Sequence, residues 1–196
     1  MASTIYVDKL DPQSGTALEI GSSGDTITIP SGATFTNSGT ATGFGGITAA
    51  SIWRVTADFT GDASPIASNW EAADSYGASN LGSAMSESSG IFTFPATGYW
   101  YIVYQMSFYA NSGTSGAYAE IYTTTNNSAY TAISQNGAFS DVGKQQVSTS
   151  QFLFDVTDTA NCKIRFDVLH DNTSNKTRGS TDQNLTCVSF IRLGDT

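Results

Sequence analysis

The sequence predicts an all-β protein, a two-sheet β-sandwich preceded by an extension of very short strands. Three observations carry this reading. Gly, Ser, Thr, Ala and Asn are abundant, only 13% of residues are charged, and no run repeats its apolar residues at the 3.6-residue spacing of a helix. Aromatic residues make up 12% of the chain, enough buried area for its C-terminal part to fold. Residues 90–109, the densest apolar stretch, are rich in aromatic and β-branched types and punctuated by Gly and Pro, as strands are.

Residues 1–48 differ in kind from the rest of the chain. Ile5, Tyr6 and Val7 read as a short strand and residues 11–15 as a turn cluster. Leu18 and Ile20, Ile27 and Ile29, then Ala33 and Phe35 are apolar pairs at i, i+2, separated by Gly, Ser, Asp or Pro. Strands this short bury too little within one chain to offset backbone ordering at about 1–2 kcal/mol per residue. Three chains wound together would bring equivalent Leu, Ile and Phe side chains onto a common axis, so the segment is expected to be a stem or docking segment. A flexible Gly/Ser/Thr tether is the alternative. Residues 40–46 read as a linker.

Residues 49–196 read as the globular head, beginning with the strand pattern of 51–59. Residues 60–89 are Ser-, Ala- and Gly-rich, with Trp70 and little periodicity. Residues 91–94, including Phe92, form a short β-type run that Pro95 ends, and Gly98 lets the chain reverse, so one turn is expected to join two strands. From Tyr99 the chain is apolar at both parities. Trp100, Ile102, Tyr104, Met106 and Phe108 form one row; Tyr99, Tyr101, Val103 and Tyr109 form the other. One row fills a core, expected to include Phe92 and Phe190. The other needs a second cover, which a neighbouring subunit would supply. Residues 117–125, 131–139, 145–157, 162–170 and 185–193 complete about eight strands.

Two resemblances sharpen the reading. Gly90, Phe92, Pro95, Gly98, Trp100 and Ile102 resemble the Gly-x-Phe, Pro, Gly-x-aromatic-x-apolar signature of the complement globular head and the tumour-necrosis-factor superfamily, and residues 188–193 resemble that family's last strand. The resemblance implies a jelly roll assembled as a homotrimer, with Tyr99, Tyr101 and Val103 at the trimer interface and Trp70 packed where residues 60–89 wind over one edge. Residues 7–12, with Gly15, Ile20, Gly21 and residues 23–32, resemble the opening of fibre-like virion proteins of marine bacteriophages. That implies assembly in a host cytoplasm, a place in the virion, and an N-terminal segment that meets other virion proteins.

Composition excludes several classes. A net charge of -9, with eight Lys and Arg spread thinly, supplies no basic stripe for nucleic acid. No stretch reaches the roughly 18 apolar residues that cross a bilayer, so no membrane insertion is expected, and the N-terminus lacks a secretion-signal pattern. Cys162 and Cys187 are too few for a disulfide framework and read as buried free thiols. The sequons at Asn126, Asn172, Asn175 and Asn184 read as Asn-rich turns.

No catalytic constellation is expected. His170 is the only histidine, and Asp171, its neighbour on a strand, points to the opposite face and cannot orient it. No zinc spacing or calcium loop is present, so no metal or cofactor is expected. The acids, Glu120 and Asp167 among them, are scattered and read as solvated, while a cluster of Tyr118, Tyr122 and Tyr130 is a candidate for sugar stacking, with trimer packing explaining it equally well. The chain therefore reads as a non-enzymatic trimeric virion fibre or appendage protein. Its loops are expected to contact a host-surface glycan or outer-membrane component. The alternatives are a capsid fibre or decoration without receptor binding and, further off, a polysaccharide depolymerase.

Overall fold

The computed structural model describes residues 10, 12, 14–38 and 47–196. The chain divides into two units, Met1–Phe44 and Gly45–Thr196. The expected strand at residues 5–7 and the linker at 40–46 lie outside the described residues.

Within the first unit the described residues form no strand. Two turns close at Asp25 N–H to the Ser22 carbonyl (2.9 Å) and Ala33 N–H to the Pro30 carbonyl (3.0 Å). Leu18, Ile20, Ile27, Ile29 and Phe35 are 43–61% exposed. The apolar pairs of a single chain thus stand exposed on turn-linked backbone rather than in the short strands their spacing suggests.

The second unit contains twelve strands: β1 Ala50–Val55, β2 Phe59–Thr60, β3 Trp70–Ala72, β4 Ser86–Ser88, β5 Ile91–Thr93, β6 Gly98–Tyr109, β7 Ser115–Thr124, β8 Thr131–Ser140, β9 Gln145–Val156, β10 Lys163–His170, β11 Lys176–Thr177 and β12 Cys187–Gly194. They form an all-β antiparallel sandwich of a seven-stranded and a five-stranded sheet. The larger sheet runs β2-β11-β6-β12-β1-β3, with β9 also paired to β6; the smaller runs β4-β5-β10-β7-β8. The short strands β2, β3, β4 and β11 are the ones composition does not reveal, since two or three residues carry no period.

Strand β6 is the spine. It pairs with β9 over all twelve residues, and with β12 then β11 on its other edge. Its even-numbered row, Trp100, Ile102, Tyr104, Met106 and Phe108, is buried to 1% exposure or less. Opposite stand Phe92 and Phe166 from the smaller sheet, with Tyr104 to Phe166 ring centroids 4.9 Å apart and Phe92 to Phe190 5.4 Å. Trp70, on β3 at the edge of the larger sheet, is half-buried and packs edge-on to Phe92 at 5.3 Å. Edge-to-face rings add roughly 0.5–1.5 kcal/mol per pair to their area burial.

The turn after β5 does not make a hairpin. β5 pairs with β4 and β10, whereas β6 belongs to the larger sheet, so residues 94–97 carry the chain from one sheet to the other. Pro95 ends the ladder, and Phe94 then packs on Trp100 (5.3 Å) and Phe154 (5.6 Å). Gly98 has φ +132°, and a Cβ there would lie 2.3 Å from the Gly194 carbonyl oxygen; at Gly90 (φ +82°) it would lie 2.5 Å from that of Ile66. Both glycines are required by backbone crossing close to backbone.

The register gives the sandwich two distinct ends. Ala50 lies opposite Ile191, and Gly194 opposite Tyr99, so the polypeptide enters and leaves at the start of β6. Gln145 and Lys176 lie opposite Tyr109, which gathers the β6–β7, β8–β9 and β10–β11 turns at the far end.

Trp100→Ala removes an indole that also donates to the Ala96 carbonyl (3.1 Å). It is expected to cost about 3–5 kcal/mol, read as a lower urea midpoint with an unchanged slope.

Candidate functional site: the outer face of the larger sheet

Alternation that buries one row of β6 turns Tyr99, Tyr101 and Val103 outward. Their surroundings follow from register. Ala50, Ile191, Tyr101 and Leu153 stand on one line across four strands, and Ile52, Ser189, Val103 and Gln151 on the next. Tyr99 is 41% exposed, Leu153 52%, Ile52 38% and Leu193 50%. Tyr101 and Val103 are half-buried, the tyrosine hydroxyl donating to Gln151 Oε1 at 2.5 Å. Leu81, joined by bridging hydrogen bonds to Ala50, closes a shallow cavity of about 220 Å³ over Ala50, Ile52, Ser189 and Ile191. This is a contiguous apolar face of the kind that marks an interaction surface. The sequence pattern named its β6 row. It did not name Ile52, Leu81, Leu153 or Leu193, because period reports parity and not which strands become neighbours.

The same face turns polar away from this patch. Arg54, 2% exposed, is held by Glu71 (2.7 Å), Asp74 (3.1 Å) and the Ser75 hydroxyl (2.8 Å). Two of the scattered acids are thus structural partners of one guanidinium. Gln105 donates to the Asn184 and Leu185 carbonyls (3.2 and 3.1 Å).

On the outer face of the smaller sheet, Asp167 and Glu120 stand directly opposite each other on β10 and β7. Both are buried rather than solvated, at 0% and 6% exposure. Asp167 accepts from Ser64 Oγ (2.5 Å) and Arg165 (3.1 Å); Glu120 accepts from Tyr122 (3.3 Å) and Gln135. Arg165 lies over the rings of Tyr122 (4.5 Å) and Tyr130 (5.2 Å), so those tyrosines already stack on a side chain of their own molecule. Tyr118 instead packs edge-on against Phe139 at 5.8 Å. The expected three-tyrosine cluster is therefore split in two. Burial pushes the Asp167 carboxyl above the ordinary carboxylate range, and Glu120 adds to this, against the pull of Ser64 and Arg165.

His170 is buried, with Nδ1 2.9 Å from the Gly61 carbonyl and Nε2 3.3 Å from Thr177 Oγ1. Because a carbonyl only accepts, Nδ1 carries a proton; burial lowers the ring's pKa, which favours its neutral form. The Asp171 carboxylate accepts from Gly116 N–H (3.0 Å) and does not orient the histidine. Cys162 and Cys187 are buried and unpaired, and burial raises the Cys187 thiol to about 11. Asn175, 0% exposed, bonds Asn111 N–H and Ser115, while Asn126 and Asn172 cap their own turns. Among the described residues, no group of three or more His, Cys, Asp or Glu could hold a metal ion.

No protein-family model matches the chain, and no curated protein matches it by sequence. Solved structures do match by shape. The Eiger TNF of S. frugiperda superposes with a TM-score of 0.55 at 13% identity, covering 75% of this chain and 93% of that one. Murine APRIL at pH 5.0 gives 0.54 at 10%, covering 74% and 98%. The globular domain of zebrafish complement 1qA protein gives 0.50 at 12%, covering 77% and 100%. At such identities the likeness is one of fold, the jelly-roll β-sandwich.

A pH dependence follows from Asp167. Its raised pKa means the folded protein holds this proton to higher pH than the unfolded chain does. The associated stability is present below about pH 4, the unfolded value, and is lost as pH rises through the folded value. Asp167→Asn is expected to raise the melting temperature at neutral pH, with the gain over wild type shrinking toward pH 4. A gain that does not change with pH would contradict this account.

Proposed function

We propose that the chain is the subunit of a homotrimeric fibre or appendage protein of a bacteriophage virion, with a head that binds a host-surface ligand. The observation that carries the trimer is the apolar outer face of β6, β9, β12 and β1. Tyr99, Leu153, Ile52 and Leu193 lie exposed on it, and a soluble protein gains by covering such a face. Tyr99, Tyr101 and Val103 lie at the centre of this seam, with Leu81 and Leu193 at its margin.

Support for the virion setting comes from the resemblance of residues 7–32 to the opening of phage fibre-like proteins. The exposed apolar pairs from Leu18 to Phe35 also suit a segment that completes its burial against other copies or other virion proteins. His170 is held by the Gly61 carbonyl and Thr177, and Asp167 and Glu120 lie buried against Ser64, Arg165 and Gln135, away from solvent. A binding or structural role suits this arrangement better than polysaccharide cleavage.

Tyr101→Lys leaves each head's own core intact and places an unpaired charge at every seam, where desolvation is costly. Light scattering is expected to show monomers with a native circular dichroism spectrum, whereas a native trimer would refute this seam. For the virion setting, antibodies against the head are expected to label purified particles at tail or appendage positions. Uniform labelling of the shell would favour a decoration protein instead.

A further inference from the structure

At the end of the sandwich far from where the chain enters and leaves, an open cavity of about 370 Å³ lies between the β8–β9 turn and the β6–β7 loop. Thr114, Phe139, Asp141, Lys144, Gln145 and Gln146 line it. From this cavity we infer that the head carries a binding site for a neutral saccharide, with one pyranose ring seated on Phe139. The inference deepens the surface-ligand reading proposed above, giving it a place and a chemical class.

Phe139 is 59% exposed yet firmly seated. It stands opposite Gly116, where a Cβ would lie 2.6 Å from its ring, while at Gly137 a Cβ would lie 2.9 Å from the ring of Tyr118. Two glycines inside strands weaken the sheet unless something packs over them. Here they make room for an edge-to-face pair that leaves an apolar ring open to solvent. The carbon-bound hydrogens on one face of a pyranose are weakly positive and suit the negative face of such a ring.

The polar groups around the ring are fixed by the backbone. Lys144 N–H donates to the Asp141 carbonyl (3.1 Å) across the turn, and Gly143 N–H donates to the Ala110 carbonyl (2.8 Å). Ala110 N–H returns a bond to the Lys144 carbonyl (3.1 Å). Asp141 takes the Thr114 hydroxyl on one oxygen (2.8 Å), leaving the other free to accept from a sugar hydroxyl. Gln145 is held at both ends, donating to Ser107 Oγ (2.9 Å) and accepting from Arg178 (3.2 Å). The Asp141 carboxylate, the Lys144 ammonium and the Gln146 amide line the same cavity as the ring and provide both donors and acceptors, which hydroxyl groups need.

Charge selects the neutral class. Lys144 is offset by Asp141 within the cavity, and the neighbouring Arg178 is paired with Asp58 at 3.1 Å. The whole chain carries -9, so an acidic polymer approaches against the protein's field.

The test uses the full chain on an array of neutral hexose and N-acetylhexosamine oligosaccharides printed beside uronic-acid and sialylated ones, followed by titration with the best neutral sugar. Binding to neutral sugars is expected. Phe139→Ala should weaken it at least tenfold, Asp141→Asn severalfold, Phe139→Tyr little, and Tyr76→Ala, an exposed aromatic outside the cavity, not at all. Circular dichroism should be native for each variant. Binding confined to acidic sugars, no neutral-sugar binding, or wild-type affinity in both Phe139→Ala and Asp141→Asn overturns the inference. If the array is blank while antibodies against the head still block particle adsorption, the surface-ligand reading stands and the saccharide assignment falls.

Discussion

The head depends on one constraint, that β6 is apolar on both faces and hydrogen-bonded on both edges. A twelve-residue strand paired throughout with β9 and flanked by β12 and β11 cannot slip by one residue without turning Trp100, Ile102, Tyr104, Met106 and Phe108 out of the core. Register is therefore fixed by the inner row, and the outer row is carried along with it. Burial of rings against Phe92, Phe166 and Phe190 supplies the energy, and the apolar outer face is its geometric consequence.

Close backbone crossings let the chain move between sheets around that spine. Gly90 and Gly98 sit where carbonyls of Ile66 and Gly194 approach too closely for any Cβ. Signature glycines of this kind report contact with distant segments rather than local flexibility. Electrostatics plays a secondary part. Arg54 gathers Glu71, Asp74 and Ser75, and Arg165 bridges Asp167 and two tyrosine rings. Several acids of a chain with net charge -9 are thereby used as structural partners rather than left in solvent.

The two ends of the sandwich are suited to different tasks. Near the start of β6 lie the polypeptide's points of entry and exit and the apolar outer patch of Tyr99, Tyr101, Leu153 and Leu193. Beyond Tyr109 the turns are cross-braced by Asn175, Asn111, Gln145 and Arg178. Bracing of this sort keeps loop side chains in place before a ligand arrives, which lowers the entropy lost on binding.

Periodicity and composition alone determined the all-β class, the long strands and the parity of every residue in β6, since these are local properties of alternation and of where Gly and Pro can stand. They also raised the expectation that a single chain leaves the apolar pairs between Leu18 and Phe35 largely unburied, and these residues are exposed. Tertiary structure decided what lies beside what. It separated β5 from β6 into different sheets and created the short strands. It also set Asp167 against Glu120, split Tyr118 from Tyr122 and Tyr130, and seated Phe139 over Gly116. None of these pairings is encoded within a few residues of the chain. Each is fixed by the register of strands far apart in sequence, and that register is settled only when the whole inner row of β6 is packed.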